Sequence, residues 1–403
     1  MPQKKKKKKW IRPHHLWVRI IGGAIVYPIS RLMYGVKFEK FRNPEKKPHF
    51  ILYNHQTAFD QFFVAFTYPG VVYYVASEDL FSNGLVSWII KNFVNPIPIK
   101  KSTSDMRAVL NCMQVAREGG SIAIAPEGNR TFSGETGYIK PTIVSLIKAL
   151  KMPVACMRIE GGYGVHPRWS DVKRNGKMRS YVSRVIDPVE YNAMTDEELL
   201  SAINAELYID ETQTNYTYTH KKSAEYLERA IFYCPVCGIS EFESNGDVIK
   251  CKKCGLSATY GSDLRFRSDS PDFKYSTVKE WYNDQSAYVN SIDPTALGDT
   301  AICSDTVDLY EVIPYKKKIK FGTRKMTLHG NMIALAGDSE LQLSFDEISA
   351  IAVLGRNKLN IYVNDKIYQI KSHKRFNAVK YMNLYYRYSN IKKGDPYGEF
   401  LGI

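Results

Sequence analysis

The sequence predicts a multidomain α/β protein: a central-sheet domain, then a small four-cysteine module, then a C-terminal antiparallel β-barrel closed by a helix. Three observations carry this. Between residues 45 and 190, short apolar runs of strand length alternate with helix-length segments, the pattern of an α/β layer. Two C-x2-C pairs, Cys234/Cys237 and Cys251/Cys254, stand thirteen residues apart. From about residue 301 the pattern changes to a succession of short strands with one helical segment at the end. At 403 residues the chain is long enough for two or three domains with a substantial core.

The N-terminal segment, residues 1–44, is basic and apolar by turns. Residues 1–50 hold 14 Lys and Arg against two Glu, so they carry +12 of the formal net charge of +15. Residues 4–9 are all lysine, and Trp10, Trp17, Ile20, Ile21, Ile25, Val26, Ile29, Leu32 and Met33 follow them. Lysines near an anionic bilayer contribute about 1 kcal/mol each, and aromatic side chains favour the headgroup level. The uncharged stretch 20–30 is broken by Gly22, Gly23 and Pro28 and falls short of the roughly 20 apolar residues a spanning helix needs. The expectation is therefore a peripheral or monotopic anchor lying in the interface. A cleaved signal peptide would need a small-residue cleavage site after Ser30, which the sequence lacks, so the expected setting is the cytoplasmic face of a membrane. A lysine run also suits nucleic acid, but apolar residues and tryptophans follow it in place of a folded basic face, which argues against that partner.

In the region 45–232, residues 48–53 read as a strand and 58–66 as the helix after it. Strand patterns follow at 71–76, 121–125 and 154–159, and helix patterns at 85–93, 106–117 and 142–150. Thr195 and Glu198 form a capping box for a helix through Leu199, Leu200 and Ile203, and 220–232 reads as helical. Residues 263–300 are a polar connector with a short helix near 278–289. In the region 301–390, strands are expected at 308–313, 318–321, 325–328, 332–335, 341–344, 348–353, 358–363 and 366–370, then a helix at 376–386 and a tail from 391 to 403.

Two segments bear chemistry. Asn54-His55-Gln56-Thr57-Ala58-Phe59-Asp60 lies on a strand-to-helix turn, with His55 in the turn and Asp60 inside the helix, where its carboxylate can reach one ring nitrogen. The other nitrogen is then left for proton abstraction from an alcohol, a task suited to the unperturbed imidazole pKa of about 6.5. An H-x4-D spacing alone equally fits a surface histidine near a helix-capping carboxylate. The second segment, Ala125-Pro126-Glu127-Gly128-Asn129-Arg130-Thr131, ends a strand and opens a polar loop. Arg130 offers a planar fork for phosphate, and backbone near Gly128 could approach an anion.

In this order, about seventy residues apart, the two segments resemble the lysophosphatidic acid acyltransferase family (1-acylglycerol-3-phosphate O-acyltransferases) and its glycerolipid acyltransferase relatives. The block N-H-x-S-x-x-D appears with Thr57 for Ser, and F-P-E-G-T-R-S appears with Ala125, Asn129 and Thr131 changed. Ile97-Pro98-Ile99-Lys100-Lys101 is similar to the middle I-P-V-x-R block, and Met152-Pro153-Val154-Ala155 to the last. The resemblance covers roughly residues 45–190. It implies a central-sheet acyltransferase domain with no covalent enzyme intermediate and no catalytic metal. His55 and Asp60 would activate a glycerol hydroxyl toward an acyl thioester of coenzyme A or acyl carrier protein, and Glu127 and Gly128 would shape the acceptor loop. Arg130 and Lys101 would hold a lysophospholipid phosphate. Lys101 stands where Arg is usual, and a point charge lacks bidentate geometry, which leaves room for a phosphodiester acceptor.

Cys234, Cys237, Cys251 and Cys254, with Gly238 and Gly255 after the two knuckles, form a zinc-ribbon pattern over 233–262. Four thiolates close a tetrahedral site, so the zinc should be structural. Cys112, Cys156 and Cys303 read as unpaired thiols. The order of strands and final helix after residue 301 resembles a pleckstrin-homology-like domain. Its run Lys316, Lys317, Lys318, Lys320, Arg324 and Lys325 suits anionic headgroups, though such runs are more often a solvated face. The leading expectation is acylation of lysophosphatidate to phosphatidate at a membrane surface. A second reading is a membrane-tethered scaffold that binds partners through the ribbon and barrel, with little or no catalysis. A third, nucleic-acid binding by the ribbon, would show salt-sensitive retention that survives loss of the lysine run.

Overall fold

A computed structural model describes residues 9–82, 85–99, 105–313, 318–337, 340–395, 398 and 400–402. They divide into two compact units. The first comprises Met1–Asn129, Ile139–Glu160 and Met178–Ile209, and the second Arg130–Tyr138, Gly161–Lys177 and Asp210–Ile403.

The first unit is built on seven strands: β1 (Val36–Phe38), β2 (Phe50–Tyr53), β3 (Val72–Ser77), β4 (Ile97–Ile99), β5 (Ser121–Ile124), β6 (Val154–Glu160) and β7 (Met178–Ile186). Their order is β1-β7-β6-β2-β5-β3-β4, and every neighbouring pair is parallel except β6 with β7. A parallel strand covered on both faces needs a continuous apolar run, and Phe50, Ile51 and Leu52 are all fully buried. Phe50 and Leu52 join one core with Cys112 and Val115 of the helix Met106–Arg117, Ile143 and Ile147 of Thr142–Leu150, and Leu199 and Ile203 of Asp196–Leu207. Each such side chain contributes about 1.5–3 kcal/mol by leaving water. The Asp196–Leu207 helix starts with the expected Thr195/Glu198 capping box. Arg158 closes its other end by donating to the carbonyls of Glu206 (2.6 Å) and Ala205 (2.7 Å).

Because β2 and β5 are parallel neighbours, the segments after Tyr53 and Ile124 leave the sheet side by side. Crevices outside the carboxyl ends of parallel strands are where α/β folds place ligands. Here the fold brings together two motifs that lie about seventy residues apart in sequence.

The N-terminal segment differs from expectation. It forms one continuous helix, α1 (His14–Tyr34), of 21 residues, passing through Gly22, Gly23 and Pro28. Packing overrides those weak propensities. The helix is fastened to the unit along its length: His15 Nδ1 lies 2.9 Å from Tyr73 Oη, Tyr27 packs on Phe38 and Phe66, and Tyr34 packs on Phe59 and Phe63. Arg19 donates to the carbonyls of Ala65 and Tyr68, both at 3.3 Å, at the end of helix α2 (Asp60–Thr67). With a mean hydropathy of 1.3, α1 is long and apolar enough to cross a membrane. Its inward side is nevertheless committed to the sheet domain, while Trp17, Ile21, Ile25 and Leu32 are 64%, 60%, 60% and 86% exposed on its outward side.

The second unit contains β8 (Tyr233–Cys234) paired to β9 (Gly238–Ile239), followed by the antiparallel strands β10 (Phe242–Asn245), β11 (Val248–Cys251), β12 (Ser257–Tyr260) and β13 (Phe266–Arg267). The helix Val278–Ser291 braces this module: Gln285 Oε1 accepts from the Phe232 and Tyr233 amides, and Trp281 Nε1 donates to the Tyr233 carbonyl at 2.8 Å. Residues 220–232 are not the helix expected. They form turns and a short 3-10 segment, Leu227–Arg229, because the buried Arg229 guanidinium is drawn to the carbonyls of Trp169 and Lys374 and to both oxygens of Asp171.

Seven further strands form one antiparallel sheet: β14 (Ala301–Glu311), β15 (Ile319–His329), β16 (Met332–Ala336), β17 (Leu341–Ser344), β18 (Ile348–Leu354), β19 (Lys358–Val363) and β20 (Lys366–Lys371). The order is β17-β16-β15-β14-β20-β19-β18, and the helix Val379–Lys392 follows. No pairing joins β17 to β18 among the described residues, so the expected barrel closure is not seen in the strand ladder. The two strands expected at 318–321 and 325–328 are one, β15, which passes through Gly322 and absorbs the irregularity as a register shift between Leu309 and Tyr310 of β14. Of the basic run, Lys316 and Lys317 lie outside the described residues, and Lys320 pairs with Asp308 at 3.2 Å.

Candidate functional site

Asp60 is the first residue of α2 and is fully buried, and its carboxylate gathers the whole preceding turn. Oδ2 lies 2.7 Å from His55 Nδ1 and accepts the Gln56 and Thr57 amides at 2.7 and 2.9 Å. Oδ1 accepts the Thr57 hydroxyl at 2.7 Å. A carboxylate at a helix N-terminus is favoured by the helix dipole, and here it also fixes the imidazole. Held so, His55 carries its proton on Nδ1. Its side chain keeps about a quarter of its surface exposed (24%).

Thr57 does what a serine would do there: its hydroxyl donates to Asp60 and accepts the Phe59 amide at 3.0 Å. Asn54 completes the turn from below, exchanging two hydrogen bonds with the backbone of Ile159 on β6 at 2.7 and 2.9 Å. Sequence reasoning assigned neither of these two. Their signal was available, since a buried Asn or Thr in a turn has to satisfy its own polar atoms.

Glu127 reaches across from the β5 side, and its Oε1 accepts the His55 backbone amide at 2.6 Å. It positions the turn that carries the histidine. Gly128 has φ +70°, a conformation that costs a side chain strain, and its N–H closes a turn on the Ala125 carbonyl at 3.0 Å. Lys101 lies outside the described residues. Arg130 begins the segment that belongs to the second unit. There its carbonyl accepts from Arg168 at 2.6 Å, and it is an electrostatic neighbour of His166.

His166 is buried and accepts from Arg356 at 3.0 Å, so it is held neutral. Burial first, then Arg356, Arg130 and Lys173, push its pKa down to about 4. In the unfolded chain the same imidazole protonates near 6.5. Its contribution is therefore fully present above pH 6.5 and is lost as the pH falls toward 4, a loss of about 3 kcal/mol by linkage. Denaturant unfolding at pH 7 and pH 4.5 should show this fall, and His166→Gln should shrink it.

The sulfurs of Cys234, Cys237, Cys251 and Cys254 all lie within 4.8 Å of one another, with Cys234 and Cys254 3.6 Å apart. Four thiolates about 2.3 Å from a tetrahedral zinc would be roughly 3.8 Å apart, so the set fits such an ion with every position filled by protein. Gly238 (φ +73°) and Gly255 (φ +82°) supply the left-handed backbone that folds each knuckle around it. Cys112, Cys156 and Cys303 are free thiols, and the first two are buried.

Residues 36–160 match the family model described as Acyltransferase. Over 189 residues, 46% of the chain, the sequence is 20% identical to the chloroplastic 1-acyl-sn-glycerol-3-phosphate acyltransferase BAT2 of Brassica napus and 19% identical to the chloroplastic enzyme LPAT1 of Arabidopsis thaliana. The match spans about half the length of these relatives, 53% and 51%. Among solved structures, the 1-acyl-sn-glycerophosphate acyltransferase PlsC of Thermotoga maritima is similar over 48% of this chain and 89% of its own, with 18% identity and a TM-score of 0.37. The N-terminal PH domain of human ARAP2 is similar over 22% of this chain and 80% of its own, with 16% identity and a TM-score of 0.20.

Proposed function

We propose that the protein is an O-acyltransferase that moves an acyl chain from a thioester to the free hydroxyl of a lysophospholipid, with lysophosphatidate as acceptor and phosphatidate as product. The observation that carries this reading is the buried Asp60 carboxylate 2.7 Å from His55 Nδ1, inside a segment that matches the acyltransferase family model. In the reaction, His55 Nε2 takes the hydroxyl proton as the oxygen attacks the thioester carbon. The C–O bond forms, the C–S bond breaks, and the proton returns to the departing thiolate. Asp60 keeps the imidazole in the tautomer this needs and stabilises the transient imidazolium. Glu127 and Gly128 hold the loop beside the base, and Arg130 and Lys101 bind the acceptor phosphate. The donor is acyl-coenzyme A or acyl carrier protein.

The enzyme works at a membrane surface, with the outward face of α1 in the interface and the basic N-terminal residues against anionic headgroups. Zinc held by the four cysteines is structural and takes no part in the chemistry. Asp60→Asn tests the pairing: the amide is neutral and presents a donor where Nδ1–H needs an acceptor. Acyl transfer should fall about 10²-fold or more, with the loss in kcat. A rate within threefold of wild type would show that Asp60 only caps its helix.

A further inference from the structure

The first unit carries an apolar surface that neither its core nor its catalytic turn uses. The helix Leu85–Ile89 runs directly into a π-helix, Ile90–Val94, which ends where the Asn95 amide donates to the Ile90 carbonyl, five residues back, at 2.9 Å. The wide turn brings together Trp88 and Phe93, whose rings meet edge to face with centroids 6.0 Å apart. Core packing does not account for them. Trp88, Ile89, Phe93 and Val94 are 57%, 45%, 42% and 38% exposed.

This surface adjoins α1. His14 Nε2 lies 3.1 Å from the Asn92 carbonyl, and helical spacing puts Trp17, Ile21 and Ile25, all exposed, on the His14 side of α1. Trp10 is tied to the same place. Its Nε1 donates to the Asn95 carbonyl at 3.0 Å, Asn95 Nδ2 donates to the Trp10 carbonyl at 3.3 Å, and Glu118 accepts the Trp10 and Ile11 amides, each at 2.8 Å. The lysine run of residues 4–9 is thus joined to the fold at this edge. No Asp or Glu occurs in residues 1–38 or 80–104. A contiguous exposed apolar surface marks a binding face, and one accompanied by a single sign of charge complements an anionic bilayer.

We propose that Trp88, Ile89, Phe93 and Val94 insert into an anionic bilayer as a second contact beside α1. One helix lying in the interface leaves its domain free to roll about the helix axis. A second contact at its side fixes that angle, and with it the side of the sheet turned toward the lipid. The two aromatic rings suit the headgroup level. The proposal deepens the membrane placement of α1 and rests on it, but not on the acyl-transfer chemistry.

The test is partition of the whole chain onto sucrose-loaded vesicles of phosphatidylcholine with about a quarter phosphatidylglycerol, read by sedimentation. The double variant Trp88→Ser, Phe93→Ser should lower the partition coefficient about tenfold, and Trp88→Phe should keep it within about twofold. Thermal melts should not change, because both rings are largely in solvent. The α1 double variant Trp17→Ser, Ile21→Ser should lower partition as well. With brominated acyl chains in the vesicles, wild-type tryptophan fluorescence should be quenched more than that of Trp88→Phe, a signal that a purely structural Trp88 would not give. Partition lost in the α1 variant but unchanged in Trp88→Ser, Phe93→Ser overturns the second contact and keeps α1 in the interface. Partition unchanged in both overturns the membrane reading of both surfaces. Wild type that ignores vesicles but self-associates through these residues gives the surface to a second copy of the chain, which also overturns the proposal. If the Ser double variant melts early, the quenching difference in Trp88→Phe decides alone.

Discussion

His55→Ala should remove acyl transfer almost completely, with a fall in kcat of about 10²–10⁴-fold, while the protein stays folded. The two effects separate because the side chain and backbone of this residue do different things. The imidazole is partly exposed and adds little to the core, whereas the backbone amide that Glu127 holds at 2.6 Å survives the substitution. Asp60 keeps its bonds from Gln56 and Thr57, so the turn keeps its shape around the missing ring. Steady-state kinetics with a chromogenic thiol trap, beside a thermal melt, would check both halves. A variant that retains more than a tenth of the wild-type kcat would mean that another group takes the hydroxyl proton.

The second large effect is expected at the cysteines. Zinc contributes on the order of 10–16 kcal/mol to folding in isolated zinc-finger peptides, and nothing in the small sheet β10–β13 can replace it. Cys234 and Cys251 are both fully buried, so Cys251→Ser should leave an incomplete site in a packed setting. Trp281 reports on it, since its ring lies against Phe242 and its Nε1 bonds the carbonyl of Tyr233, beside Cys234. Chelation or Cys251→Ser should shift Trp fluorescence, release one equivalent of zinc and lower the melting temperature of the second unit by more than ten degrees, about what a loss of several kcal/mol produces. Protein that melts unchanged after its metal is stripped would refute the structural role.

The sequence was most legible where one local rule decides the outcome. Helices 106–117 and 142–150 were expected at the bounds where they occur, because their apolar period and flanking polar residues agree with burial on one face. The His55–Asp60 pair was legible for a similar reason, since a short turn leaves few other places for the carboxylate. Elements decided by distant contacts were not. β7 carries charged Arg179 and Arg184 on an exposed face and is placed by its antiparallel pairing with β6, which no local pattern announces. α1 runs through two glycines and a proline because Phe38, Phe59, Phe63 and Phe66 lie beneath its aromatic residues. Segment 220–232 has helical composition but yields to the pull of Arg229 toward Asp171. In the site, Glu127 was expected to face the acceptor loop, and its bond to the His55 amide became visible only once β2 and β5 were adjacent.

Acyl transfer is tested by incubating the purified, zinc-loaded protein in detergent with a radiolabelled acyl thioester and lysophosphatidate, and resolving the lipid products. Label should appear in phosphatidate, with little or none in phosphatidylcholine when lysophosphatidylcholine is supplied instead, and none with His55→Ala. Folded protein that leaves the label in the thioester, with both coenzyme A and acyl carrier protein donors and every lysolipid offered, would overturn the assignment of acyltransferase activity.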